Sequence, residues 1–142
     1  MAALLESKTI SVSIARSPKD VYEFVSNPSN LSMWASGLGT SIENVNGEWV
    51  ASTPQGPVKF RFAERNLFGV LDHYVSPKPE VEVYMPMRVV SNGAGSELIF
   101  TMFRQQDMSD AAFQKDAAWV QRDLNALKKL LEAKASEFNQ NA

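Results

Sequence analysis

His73 is the only imidazole in a chain of 142 residues that contains no cysteine. Any proton transfer near neutral pH in an apolar setting therefore falls to this one ring. A single histidine rules out a site built on two imidazoles, and the lack of thiols rules out disulfides, thiolate metal centres, iron–sulfur clusters and a cysteine nucleophile. Arg88 and Arg104 interrupt otherwise apolar runs. Turned inward, either guanidinium would offer a planar fork of donors to a ligand carboxylate or phenolate. Turned outward, Arg88 would alternate with Glu82 and Tyr84, and Arg104 would close its strand on a neighbouring acid, the commoner outcome for charged side chains.

Trp34, Phe60, Phe62, Leu71, Met85, Met87, Leu98, Phe100, Met102 and Trp119 are the large apolar side chains expected to line a small-molecule cavity. Methionine suits such a wall because its flexible, polarizable thioether accepts several ligand shapes. The bland reading of each is core packing, which every folded domain requires. Gly37-Leu38-Gly39 is no phosphate loop: it follows a helical segment rather than a strand and lacks a third glycine. No Ser-His-acid set, metal site or cofactor is expected around one histidine.

The elements that must position these residues follow from periodicity. Lys8 to Ala15 alternates Ile10, Val12 and Ile14 with polar residues, as in a strand with one buried face. Ser17-Pro18-Lys19-Asp20 starts a helix: a capping serine, a proline at the first helical position and an acid at the positive end of the dipole. Val21, Phe24 and Val25 form its stripe, and Pro28 stops it near Asn27. A second short helix, Ser29 to Ala35, carries Leu31 and Trp34 on one side and ends at Gly37 and Gly39. Strands are then predicted over Thr40 to Val45, Glu48 to Thr53, Val58 to Ala63, Gly69 to Val75, Val81 to Val90 and Ser96 to Gln105. Turns at Asn46-Gly47, Pro54-Gln55-Gly56, Ser76-Pro77-Lys78-Pro79 and Asn92-Gly93-Ala94-Gly95 separate them. From Ser109 to Phe138 the spacing of Phe113, Ala117, Val120, Leu124, Leu127 and Leu131 is that of one long amphipathic helix, fraying from Glu137.

Parallel strands need crossover helices, and this order supplies none, so the fold class is α+β. Seven antiparallel strands in one twisted sheet would curl around the terminal helix, the only element large enough to cover their apolar face. Space left between sheet and helix would hold a small apolar ligand. His73 reaches it if Leu71 and Val75 face the helix, the preferred register; if Val70 and Tyr74 face it, Asp72 comes with them instead.

The segment Asp20-Val21-Tyr22-Glu23-Phe24-Val25-Ser26-Asn27-Pro28, with Leu31 and Trp34 after it, resembles the opening of the START-like superfamily, the SRPBCC or polyketide cyclase and dehydratase group. The runs Gly69 to His73, Pro86 to Val90, Gly95-Ser96-Glu97, Phe103-Arg104 and Met108-Ser109-Asp110 are similar to bacterial members of that group. The resemblance spans about residues 8–135 and implies a helix-grip fold, with the whole chain, residues 1–142, expected as a single domain. That group contains lipid carriers, hormone receptors, cyclases and chaperone-activating domains, so fold alone does not choose an activity. The expected function is binding of a small hydrophobic or aromatic molecule. An enzyme using His73 and a protein-interaction module are the rivals.

Fourteen basic against sixteen acidic residues give a net charge of -2, which argues against a nucleic-acid partner. Met1 to Glu6 lacks the pattern of a secretory leader and no run is apolar enough for a transmembrane segment, so a cytoplasmic, soluble protein is expected. A homodimer is compatible with all of this.

Overall fold

Alternation of Ile10, Val12 and Ile14 with exposed neighbours produces β1 (Ser7–Ile14). The computed structural model describes residues 4–36, 41–53 and 56–140. The leader reading of residues 1–3, the helix-ending Gly37 and Gly39, Thr40, the Pro54-Gln55 turn and residues 141–142 lie outside the described residues. α1 (Pro18–Val25) starts as the sequence requires, with the Ser17 hydroxyl accepting the Asp20 N–H at 3.2 Å. It buries Val21, Tyr22 and Val25. Asn27 then caps a 3-10 helix (Pro28–Met33), which buries Leu31 and is followed by buried Trp34.

β2 (Ser41–Val45) and β3 (Glu48–Thr53) form the expected hairpin, with Asn46 and Gly47 at φ 53° and 88° in its turn. They are followed by β4 (Gly56–Phe62), β5 (His73–Lys78), β6 (Val81–Met85), β7 (Met87–Asn92) and β8 (Gly95–Phe103). β5 continues through Ser76 and Pro77 where a turn was predicted. The register with β6 shifts between Val75 and Lys78, and Pro77 lies within that shift, where a missing N–H costs no ladder bond.

The single seven-stranded sheet is not what forms. Among the described residues the strands make a three-stranded sheet, β1-β8-β7, and a five-stranded sheet, β2-β3-β4-β5-β6, with every pair antiparallel. The division falls at Pro86, inside the run expected to be one strand, Val81 to Val90. Proline cannot donate to a ladder, so β6 stops at Met85 in one sheet and β7 begins at Met87 in the other. The predicted strand Gly69 to Val75 also serves both sheets. Val70 bridges Arg88 on β7, with Leu71 N–H donating to Met87 O and Val89 N–H to Gly69 O, before His73 onward pairs with β4 and β6. Gly69 has φ 72°, and a Cβ there would sit 2.3 Å from the Val89 carbonyl oxygen, so only glycine permits this approach.

α2 (Asp110–Gln140) is capped by Ser109, whose hydroxyl accepts the Ala112 N–H at 3.1 Å. At about 1.5 Å per residue it is about 46 Å long, and it stays helical through the segment expected to fray from Glu137. Phe113, Ala117, Leu124, Leu127 and Leu131 are buried on one face and Val120 packs beside them. The later turns are tied to β1 and its exit: Lys128 donates to Ser13 O, Ala15 N–H donates to Glu132, and Arg16 donates to Leu131 O.

Leu124→Asp replaces a side chain that is 1% exposed with a charge that has no partner on that face. Losing the leucine alone costs about 2–5 kcal/mol, and desolvating the carboxylate adds to it. We expect the melting temperature to fall by at least about 10 °C; calorimetry showing no change would mean that this face of α2 does not carry the core.

Candidate functional site

A cavity of about 480 Å³ lies under the first half of α2, where the two sheets meet. The five-stranded sheet contributes Phe60, Phe62, His73, Val75 and Met85; the three-stranded sheet contributes Met87, Phe100 and Met102. Trp34 and Leu31 close one end, and Trp119, Val120 and Leu124 of α2 lie across it. The strand pairing explains the convergence: His73 stands opposite both Phe62 and Met85, and Met87 opposite Phe100. Because side chains alternate along the extended chain that leads into β5, Leu71, His73 and Val75 share the inward face and Asp72 takes the other.

His73 is wedged between two aromatic rings, 5.5 Å from Phe62 and 5.7 Å from Phe100 between centroids. Its Nδ1 lies 3.1 Å from the Leu71 carbonyl. A carbonyl only accepts, so Nδ1 carries the proton and Nε2 presents its lone pair. Burial pushes the imidazole below its ordinary pKa; the Leu71 hydrogen bond and the Asp72 charge only partly oppose this. The ring is half-buried by surface area although it lies deep in the molecule, because the surface it keeps is that of the cavity.

Asp72 is buried on the outer side of the join between the sheets. It accepts the Met87 N–H at 2.9 Å, the Tyr84 hydroxyl at 3.1 Å, and both Nε and Nη2 of Arg88 at 3.2 and 3.1 Å. Burial alone would raise its pKa, but the bonds from Arg88, Met87 and Tyr84 outweigh it and hold the carboxyl below its ordinary value.

These contacts decide between the two orientations left open for Arg88 and Arg104 in favour of the outward one. Arg88 points outward to Asp72, and Arg104 donates to Met108 O, Glu6 and Asp110 at the end of β8, so neither guanidinium is on the cavity wall. Both charges find carboxylates outside the cavity. Leu71 and Leu98 are not on the wall either; they are sealed in the core, 1% and 0% exposed.

Sequence reasoning missed the polar rim. Asp116 and Asp123 line the cavity beside Trp119 and Val120, and their spacing along α2 places all four on one flank of the helix. The Trp119 indole N–H donates to Ser36 Oγ at 2.9 Å, and that hydroxyl donates to Asp123 at 2.5 Å, which joins α2 to the segment after Trp34. The Arg122 guanidinium covers the Trp119 ring at 4.6 Å. Among the described residues there is no cluster of acids and histidine suited to a metal ion. No helix among them is long and apolar enough to cross a membrane.

No family model matches this chain, and no curated protein matches it. Solved structures do. The protein XoxI from Bacillus cereus is 18% identical with a TM-score of 0.72, over 89% of this chain and 96% of that one. The Aha1 dimer from Colwellia psychrerythraea gives 16% and 0.71, over 90% and 97%. Ara h 8.0201 gives 13% and 0.67, over 92% and 99%. The shared property is the fold: antiparallel sheet wrapped on a long terminal helix.

The displaced titrations have a direction that can be measured. His73 binds its proton more weakly folded than unfolded, so its contribution to stability is complete above the ordinary imidazole pKa of about 6.5 and is lost as pH falls below it. Asp72 is likewise depressed, and its contribution is lost only in the carboxylate range, below about 4. The melting temperature should therefore fall between pH 7 and pH 5 in the natural chain and stay flat there in His73→Phe, while both proteins weaken below pH 4. Parallel profiles across pH 5–7 would mean that His73 is not held neutral in the fold.

Proposed function

We propose that this chain is a START-like helix-grip domain that binds a small hydrophobic or aromatic molecule between its sheets and α2. The observation that supports this reading is the cavity itself, about 480 Å³ bounded by aromatic and methionine side chains, a size and lining typical of small-molecule sites. An interaction module would call for those side chains to meet and fill the interior. Methionines at two strand ends, Met85 and Met87, add walls that adjust to ligand shape.

The test is thermal stability with the uncharged fluorophore phenylnaphthylamine. A ligand held at a hundred times its Kd adds about 2.7 kcal/mol to the folded state, which raises the melting temperature by several degrees. Fluorescence should rise on binding and be lost above the transition. Val75→Trp, which fills the cavity from its inner wall, should remove most of the shift. No shift with the natural chain would count against the cavity as a binding site.

A second reading, turnover of the bound molecule, is favoured by one observation: the lone pair of His73 Nε2 belongs to a ring on the cavity wall. As general base, this nitrogen would take a proton from a ligand hydroxyl or activated carbon. Any turnover found should fall about 100- to 10,000-fold in His73→Gln; undiminished turnover would end that reading.

A further inference from the structure

We propose that His73 Nε2 and the thioethers of Met85 and Met102 form a site for a soft monovalent metal ion, Cu(I). This goes beyond the binding of an organic molecule and does not depend on it; the two share only the cavity.

Strand pairing places the three donors together. His73 on β5 stands opposite Met85 on β6. The register of β7 with β8 continues back through Pro86: Met87 pairs with Phe100, and Thr101 N–H donates to Pro86 O at 3.0 Å, which sets Met102 opposite Met85. His73, Met85 and Met102 therefore form one cross-strand row, and all three line the cavity. The imidazole leans along this row toward β8, where its centroid comes within 5.7 Å of that of Phe100. Neighbouring strands are about 4.8 Å apart, a gap that an unbranched, flexible thioether can close. Met87 and Met108 border the same cavity, so four of the chain's six methionines share it with the only histidine.

The ring is already oriented as a metal ligand. Nδ1–H donates to Leu71 O at 3.1 Å, which leaves the lone pair on Nε2, and that nitrogen has no partner among the described residues. A histidine that binds a metal usually gives its other N–H to a carbonyl or carboxylate in this way, which fixes both the tautomer and the plane of the ring.

The donor set selects the ion. Zinc and the hard cations require thiolates, several imidazoles or grouped carboxylates, and the described residues hold no such cluster. Cu(II) prefers a tetragonal set of nitrogen and oxygen, whereas this row offers one nitrogen and sulfur. Thioether sulfur is the soft ligand that favours Cu(I). The charge to be taken from water is a single one, and Asp116 lies on the same cavity wall.

Silver(I), which shares the preference for soft donors and needs no protection from air, is the probe. Calorimetry in chloride-free buffer should show one ion bound per chain. Met85→Leu and Met102→Leu keep the side-chain volume and remove only the sulfur; each should weaken binding by at least about tenfold, the lower end of what even a supporting partner is worth to a metal site. His73→Phe should do the same. Met33→Leu, at a thioether that is 58% exposed and outside the cavity, should change nothing. Excess copper(I) under nitrogen should displace the silver, and excess zinc(II) should not. If a variant does not fold, nitrogen-resolved NMR of the natural chain decides, because one imidazole gives one pair of ring signals. Silver should move the Nε2 signal far more than that of Nδ1, and the methyl signals of Met85 and Met102 with it. No silver binding by the natural chain, equal binding by the two leucine variants, displacement by zinc, or an Nε2 signal that stays in place would each overturn the metal site. None of these results would bear on phenylnaphthylamine binding, whose failure in turn leaves the metal site standing.

Discussion

The Asp72 carboxylate determines what the rest of the molecule can be. Pro86 breaks the apolar run Val81 to Val90, and the chain must turn from one sheet into the other at that point. The next residue, Met87, then has an amide that would lie at a broken edge. Asp72 accepts it, and draws Tyr84 from β6 and Arg88 from β7 onto the same two oxygens. One carboxylate thus binds β6, at the edge of one sheet, to β7, at the edge of the other. Removing it would leave a buried N–H and a guanidinium without their partner, the costly kind of deletion. Because neighbours on an extended chain face opposite ways, Asp72 outside places Leu71 and His73 inside. The outer clamp and the inner imidazole are consequences of the same register.

The terminal helix uses its two halves differently. Its later turns are locked to β1 and to the entry of α1 by Lys128, Glu132 and Leu131. Its earlier turns lie over the cavity, with Trp119, Val120 and Leu124 in the wall, and are held across it by the Ser36 relay to Trp119 and Asp123. A helix anchored over a closed core at one end can span a gap at the other without losing its place. The apolar row runs through both halves, and only the first half borders the cavity.

Local signals in the sequence were sufficient for the helices and the first hairpin and insufficient for how the later strands join. Ser17, Pro18 and Asn46-Gly47 act through bonds within a few residues, so the helix start and the hairpin could be read directly. The buried row from Phe113 to Leu131 could also be read, since a period of 3.6 leaves only one face to bury. Pro86 was visible but its effect was not, because whether a proline in an apolar run bends one strand or divides two sheets depends on partners distant in sequence, here Asp72 and Thr101. The same limit applied to Arg88: alternation allowed either face, and only the position of Asp72 decided. Asp116 and Asp123 carry no pattern that marks them as lining residues, although they flank Trp119, which the sequence did single out.

These placements weigh on the choice between holding a molecule and transforming it. A general base works best when its pKa is near the ambient pH, and burial has moved His73 below its ordinary value, which makes it the weaker base. The developing negative charge of a deprotonated ligand would need a cation or a set of donors, and Arg88 and Arg104 are committed to carboxylates outside the cavity. What the wall does offer is a neutral imidazole acceptor among aromatic rings, with acids beside it. Such a surface penalises charge separation, which weighs against chemistry that passes through an anion and supports the proposed binding of an intact molecule.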